Sequence, residues 1–327
     1  MDESADVCVR GVKTESIINK TKKMKRKLRN SVLRSQLLLL LILPLLQFAL
    51  ILDSVFAVEL KIRRINPIQF GYSKLKKPNQ LPYSRVATGN KNIKIAWFGG
   101  ATDRYKHGIL GDTWEASQLL VETTQGNQLT FNLPYNRVFE DLEPRLVDLN
   151  GDKKDEVIVI ESDINLGASL ALYSIKSGQL KAIASTPFLG HPNRWLNPVG
   201  VGDFDGNGQP DIALVATPHI GGILRLYRFS DSGFRLFAEY TGVSTHKIGS
   251  MDLGLGRVVE SNPKDLLILP NQSHNVLMLL EWTQTGIKQI AKVELYGRLR
   301  SSLLLVKRHH WRFQLDNDDF YELSLKE

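Results

Sequence analysis

The sequence predicts an all-β chain folded as a β-propeller of about five four-stranded blades. Three observations carry that expectation: a hairpin that recurs every fifty-odd residues, a second strand pair ahead of three of those hairpins, and strand-like stretches at the two ends of residues 58–327 that complement one another.

The hairpins are QLLVETTQGNQLTFNLP, LALYSIKSGQLKAIAST, LRLYRFSDSGFRLFAEYTG and LMLLEWTQTGIKQIAKVEL. Each is an apolar-alternating run, a polar turn carrying Gly, and a second alternating run, which is the pattern of two antiparallel strands. Their turn glycines, Gly126, Gly178, Gly233 and Gly286, stand 52, 55 and 53 residues apart. Ahead of three hairpins lie PRLVDLNGDKKDEVIVI, PVGVGDFDGNGQPDIALVA and the more worn KIGSMDLGLGRVVESNPKDLLILP, each reading strand, loop, strand. One unit therefore has four strands, and four-stranded units at this period mean propeller blades. An open β-solenoid, or pairing with a second chain, is the alternative stacking.

Residues 58–327 number 270, room for about five units of ~53 residues. The first blade begins near PYSRVATG (82–89), and the last unit, LRSSLLLVKRHHWRFQLDNDDFYELSLKE, holds only three strands. VELKIRRIN (58–66) is expected to supply the missing outer strand and close the ring. RHHWR (308–312) reads as an exposed turn. No run of helical period is evident beyond the leader.

Residues 1–57 are of another kind. A basic stretch precedes an apolar run, Leu37 to Leu52, and Val55-Phe56-Ala57 has the form of a cleavage site, so the segment reads as an export leader. Met24 is a plausible start for it, and a retained membrane anchor is the alternative. The expected location is periplasmic or extracellular. The one cysteine, Cys8, lies in the leader, so residues 58–327 support no disulfide, thiolate catalysis or Cys-ligated zinc. The chain is formally +8, but beyond residue 57 there are 32 Lys/Arg against 29 Asp/Glu. A charge near +3 gives no reason to expect nucleic acid as a partner.

Two loops carry a metal pattern. In DFDGNGQPD, Asp203, Asp205, Asn207 and Asp211 fall at positions 1, 3, 5 and 9, the carbonyl of Gln209 is available, and Gly208 occupies the tight turn. Calcium takes six to eight oxygens, and alternate residues of a tight loop can supply them. DLNGDKKDE offers Asp148, Asn150, Asp152 and Glu156 with the carbonyl of Lys154, but has Lys153 at the turn. An EF-hand does not fit, because its position-12 Glu would fall at Leu214 or Val159 and the flanks are strands. One or two structural calcium ions are expected, against the plainer reading of both loops as solvated Asx turns. The third copy keeps Asp252 but is too worn to hold an ion.

At these residues the chain resembles the FG-GAP/VCBS repeat of integrin-alpha-like β-propellers, over about residues 82–327. The resemblance implies calcium loops between the first two strands of a blade, and exported or cell-surface proteins that bind partners or sugars. It implies no catalytic residues.

Strands of a blade alternate in direction, so loops after strands one and three share one face and loops after strands two and four share the other. The metal loops take the first. The second collects TDRYKHGILGD, GHPNRWLNP, TPHIGG and STHKIGS, with Arg104, Tyr105, His107, His191, Arg194, Trp195, His219 and His246. One reading is a site for an anionic or sugar-like ligand, with Arg104 and Arg194 as donors and Trp195 as a stacking surface. The other is ordinary packing, with Arg194 paired to a local carboxylate. His107 beside Asp103 or Asp112 could make a base and its orienter, but no nucleophile or zinc motif accompanies them. The leading function is thus a non-catalytic binding or scaffolding module for a protein or glycan, and the alternative an enzyme acting on a glycan or polyanion from this second face.

Overall fold

The structure, a computed structural model, describes residues 58–68 and 75–326. The leader, its cleavage site and its anchor alternative lie outside them. No helix among the described residues is long and apolar enough to cross a membrane. Val58–Glu327 forms one compact unit.

Five antiparallel blades make up that unit. Blade one is β2 (Ala87–Thr88), β3 (Ile93–Thr102), β4 (Glu115–Thr123) and β5 (Gln128–Asn132). After a short β6 (Arg137–Phe139), blade two is β7 (Arg145–Val147), β8 (Glu156–Asp163), β9 (Gly167–Lys176) and β10 (Gln179–Ser185). Blade three is β11 (Leu196–Gly202), β12 (Asp211–Ala216), β13 (Ile223–Ser230) and β14 (Gly233–Thr241). Blade four is β15 (Arg257–Val259), β16 (Leu266–Pro270), β17 (Val276–Thr283) and β18 (Gly286–Glu294). The fifth joins β19 (Leu304–Lys307), β20 (His310–Gln314) and β21 (Phe320–Lys326) to β1 (Glu59–Ile65), which pairs with β21 from Glu59 opposite Lys326 to Ile65 opposite Phe320. The ring is closed as the sequence predicts, by one strand from each end of the unit.

Strand alternation distributes the core. A second strand packed between two neighbouring blades must be apolar on both faces, and EVIVIESD of β8 and DIALVA of β12 are buried throughout. Ile158 and Ile160 join Ile212 and Leu214 between blades two and three, while Val157 and Val159 turn to Ala96 and Phe98 of blade one. Ala213 and Val215 meet Leu267 and Leu269 of blade four, whose Ile268 faces Phe313 and Leu323 of the last blade. The outermost hairpins all turn on glycine: Gly126, Gly178, Gly233 and Gly286 have φ of 87°, 74°, 96° and 117°, which a Cβ would strain.

Two features depart from expectation. β6 pairs with β8 and also meets β4 through Ala116 and Phe139, so blades one and two share a nine-stranded sheet. Glu140 N–H continues this ladder to Ile160 O at 3.1 Å, the chain then steps out, and β7 resumes at Arg145 opposite Ile158. Of RHHWR, only Arg308 and His309 form a turn. Trp311 lies in β20 and is 2% exposed, because its place in the alternation points it into the core of the closing blade.

Candidate functional site

The loop between β11 and β12 is organised by Asp203. Its Oδ1 accepts the N–H groups of Gly206 (2.9 Å) and Asn207 (3.0 Å), and its Oδ2 that of Gly208 (2.7 Å). Asp205 Oδ1 accepts Asn207 N–H, and Asn207 Oδ1 accepts Gln209 N–H. Gly208 has a φ of 81°, the left-handed turn expected of it. Asp203, Asp205 and Asp211 offer oxygens that all lie within 4.8 Å of one another. These are hard oxygen donors at the spacing calcium uses, with Asn207 and the Gln209 carbonyl in the same loop.

A cation of the chain itself already answers part of that charge. Arg228 on β13, in register with Asp211, donates from Nε and Nη2 to its two oxygens at 2.8 and 2.9 Å and lies 2.9 Å from Asp205 Oδ2. Burial raises the Asp211 carboxyl above its ordinary value, and the Arg228 hydrogen bonds pull the other way. The loop is also pinned to the next blade, since Asp203 N–H donates to Asp265 Oδ2 and Asp265 N–H to Asp203 O, both at 2.8 Å.

The sister loop between β7 and β8 repeats the turns without gathering the acids. Asp148 accepts Gly151 and Lys153 N–H, Asn150 accepts Asp152 N–H, and Asp152 accepts Lys154 N–H. Glu156 instead caps Leu149 N–H at 3.1 Å, and the Lys91 ammonium sits 3.2 Å from Asp148 and 3.5 Å from Asp155. Lys153 takes the left-handed turn at φ 65°. Among the described residues, only the 203–211 loop brings three acidic groups to a common point.

On the opposite face, segments far apart in sequence meet around a cavity of about 130 Å3 lined by His107, Asn193, Arg194, Trp195, His219, Ile220 and Ile248. His107 Nδ1 lies 2.5 Å from Oε1 of Glu140, whose side chain is fully buried and whose other oxygen accepts Ser162 Oγ. The orienter of His107 is therefore Glu140, not Asp103 or Asp112, because the step out after β6 drives Glu140 beneath the loop that carries His107.

A second imidazole pair stands beside it. His219 Nε2 and His246 Nδ1 are 2.9 Å apart, and His246 Nε2 donates to Ser250 O at 2.8 Å. Burial, and for His219 the neighbouring histidine, brings both down to about 4, so both are neutral at pH 7. The proton positions follow: His246 carries its proton on Nε2, His219 gives its Nε2–H to His246, and His219 Nδ1 is left as an acceptor.

The remaining predicted residues divide. Trp195 is 2% exposed, stacks on His219 with ring centroids 6.2 Å apart and donates Nε1–H to Glu140 O at 2.8 Å. It is a wall of the cavity and not an open stacking surface, since His219 and His246 pack against its ring and almost none of it reaches solvent. Tyr105 is buried, which raises its phenol, and its hydroxyl accepts Asn193 N–H. Arg104 donates to Arg137 O and Pro134 O and lies over Tyr135, in a neighbouring depression that shares Asn193. His191 is exposed and is not among the residues that line the cavity. Arg194 lines the cavity with no carboxylate in ion-pair range among the described residues, so the local pairing considered for it is not made.

Among the buried acids that escaped the sequence reading, three interact with one another near this site. Glu140 and Asp141 are fully buried, and Glu115 is 2% exposed with no partner for its Oε2. Burial first, then the charges of Glu140, Asp112 and Asp141, hold the Glu115 carboxyl well above its ordinary value. The available signal was two adjacent acids inside the strand-like run RVFEDLEPR.

An FG-GAP-like repeat matches residues 148–214, which spans both acidic loops and the strands that follow them. No curated protein matches the chain. Among solved structures, an exotype rhamnogalacturonan lyase is similar at 14% identity and a TM-score of 0.42, over 65% of this chain and 43% of that one. The chain thus spans less than half of that lyase's length.

Proposed function

We propose that the chain is an exported, calcium-braced β-propeller that acts as a non-catalytic binding module, taking a protein or glycan ligand on the face of His107, Arg194 and His219. The observation behind this reading is Arg194. It stands at the wall of a cavity, has no carboxylate in ion-pair range among the described residues, and lies beside Ile220 and Ile248, which are 59% and 65% exposed. Apolar side chains left open beside an arginine suit a surface that a partner covers. An ion at 203–211 would be held by Asp203, Asp205, Asn207, Asp211 and the Gln209 carbonyl, with Arg228 releasing part of its hold. A second ion at 148–156, on Asp148, Asn150, Asp152, Glu156 and the Lys154 carbonyl, would first have to displace Lys91 from Asp148.

The test is direct binding of acidic and neutral glycans and of acidic peptides, comparing the native chain with Arg194→Gln. An affinity loss of about tenfold, near 1.4 kcal/mol, supports the reading; equal affinity for every ligand bound would sink it. The enzyme alternative is favoured by one observation, the His107 pair with fully buried Glu140, which is how a general base is oriented. Turnover of a polyanionic glycan that Glu140→Gln abolishes while binding persists would make that reading the better one.

A further inference from the structure

The first strand of the closing blade is left uncovered. Leu304, Leu305, Val306 and Lys307 of β19 are all exposed, Leu305 at 59%, whereas β7, β11 and β15, the first strands of blades two to four, hold no exposed residue. Three aliphatic side chains open in a row on an edge strand are a liability unless something covers them.

The turn that follows is basic. Lys307 and Arg308 are exposed, and neither makes an ion pair among the described residues. Leu325 N–H donates to His309 O at 3.0 Å, which sets the end of β21 beside the turn and adds Lys326, also exposed and unpaired among the described residues. Of the exposed acids nearby, Glu59 is held by Lys61 at 2.8 Å, and Glu260 of blade four, whose carbonyl accepts His309 Nε2–H at 2.9 Å, stands open. The acidic loops 148–156 and 203–211 share this face but belong to blades two and three, neither of which adjoins blade five.

The course of the chain brings lipid within reach of this hairpin. β1 enters blade five at Glu59, opposite Lys326, so the leader joins the fold at the same end as the β19–β20 turn. Three strand spacings, about 15 Å, separate β1 from β19. Only residues 53–58 stand between the apolar run Leu37 to Leu52 and Glu59, and six residues span at most about 20 Å.

We infer that the leader is retained as a membrane anchor and that the β19–β20 hairpin seats the propeller on an anionic bilayer. Leu305 and Val306 enter the headgroup boundary, and Lys307, Arg308 and Lys326 meet lipid phosphates. Neither a few aliphatic side chains nor a few cations hold a protein on lipid alone, and the tether supplies the local concentration that makes the weak contact persist. Seated this way, the edge of the acidic-loop face turns to the bilayer and the cavity of His107 and Arg194 turns to solution. The inference does not depend on which ligand that cavity takes.

The test places a polarity-sensitive dye on the full-length protein, its native thiol removed by Cys8→Ser, at Leu305→Cys or, as the opposite-face control, at Leu166→Cys. Both positions are exposed, so neither label disturbs the core. The protein is reconstituted into phosphatidylcholine vesicles with and without phosphatidylglycerol. Emission at 305 should shift to the blue and be quenched by brominated lipid when phosphatidylglycerol is present, and emission at 166 should do neither. Lys307→Gln with Arg308→Gln should lower the ratio of docked to undocked protein by about tenfold or more. No shift at 305, an equal shift at 166, or a shift indifferent to phosphatidylglycerol and to the two cations overturns the inference. So does mass spectrometry showing that the exported chain begins near residue 58, since the tether is then gone.

Discussion

On the face of the acidic loops, Asp203, Asp205, Asn207 and Asp211 come from nine consecutive residues, and their carboxylates are answered by backbone N–H groups and Arg228. On the opposite face, His107, Glu140, Arg194, His219 and His246 come from five segments; the histidines and Glu140 are paired with one another beneath the surface, and Arg194 is left at the cavity wall. The first arrangement concentrates charge where water and an ion can reach it. The second spends packing and burial to hold imidazoles neutral and one arginine open. Local loops thus suit bracing, and assembled cavities suit selectivity.

The largest effect expected on this contrast is that of Asp211→Ala. It removes the two hydrogen bonds from Arg228 to Asp211 and leaves that side chain, only 16% exposed, with Asp205 as its remaining acid, and a loss of about 2–3 kcal/mol in urea unfolding should follow. Asp152→Ala in the sister loop, where among the described residues that carboxylate accepts only the Lys154 N–H, should cost under about 1 kcal/mol. Equal losses would erase the distinction between the loops.

Calcium comes next. Titrating calcium after EGTA treatment should raise the melting temperature by about 5–10 °C at 100 times Kd, and magnesium should not. The rise should vanish in Asp203→Ala and survive in Asp148→Ala. If neither protein differs from the native chain, the loops are turns that bind no ion.

The histidine face should respond to acid. The folded values of His219 and His246, about 4, lie below the ordinary 6.5, so the unfolded chain takes up protons that the fold refuses. Their contribution is complete above pH 6.5 and is lost as pH falls toward 4, on the order of 1–3 kcal/mol in all. Glu115 runs the other way: its raised carboxyl favours the fold at low pH, and that contribution is lost as pH rises through its elevated value. Urea midpoints measured from pH 7.5 to 4.5 should decline, and His246→Gln should flatten the slope. A slope that is the same in the native chain and in His246→Gln would mean the imidazoles reach solvent.

The smallest effect belongs to Lys153. Its φ of 65° is a conformation that glycine takes freely, so Lys153→Gly should be neutral or stabilising by up to about 1 kcal/mol, as read by the same denaturation. A clear loss would show that the lysine side chain contributes to this loop in a way its sister loop does not need.

The sequence by itself determined the repeat, the blade count, the closing strand and the two acidic loops. These rest on short-range physics: period-two alternation, glycine at left-handed turns, and oxygen-bearing side chains at alternate residues of one loop. It also sorted the remaining polar residues onto one face, because strand direction alternates whatever the packing. Tertiary structure alone decided that Glu140 orients His107, that Trp195 is covered and that Arg228 shares the acidic loop. Each of those depends on which distant segments are neighbours in space. The step out after β6, which buries Glu140 and Asp141, leaves only two acids in an apolar run as its trace in the chain, and burial is a property of the whole fold.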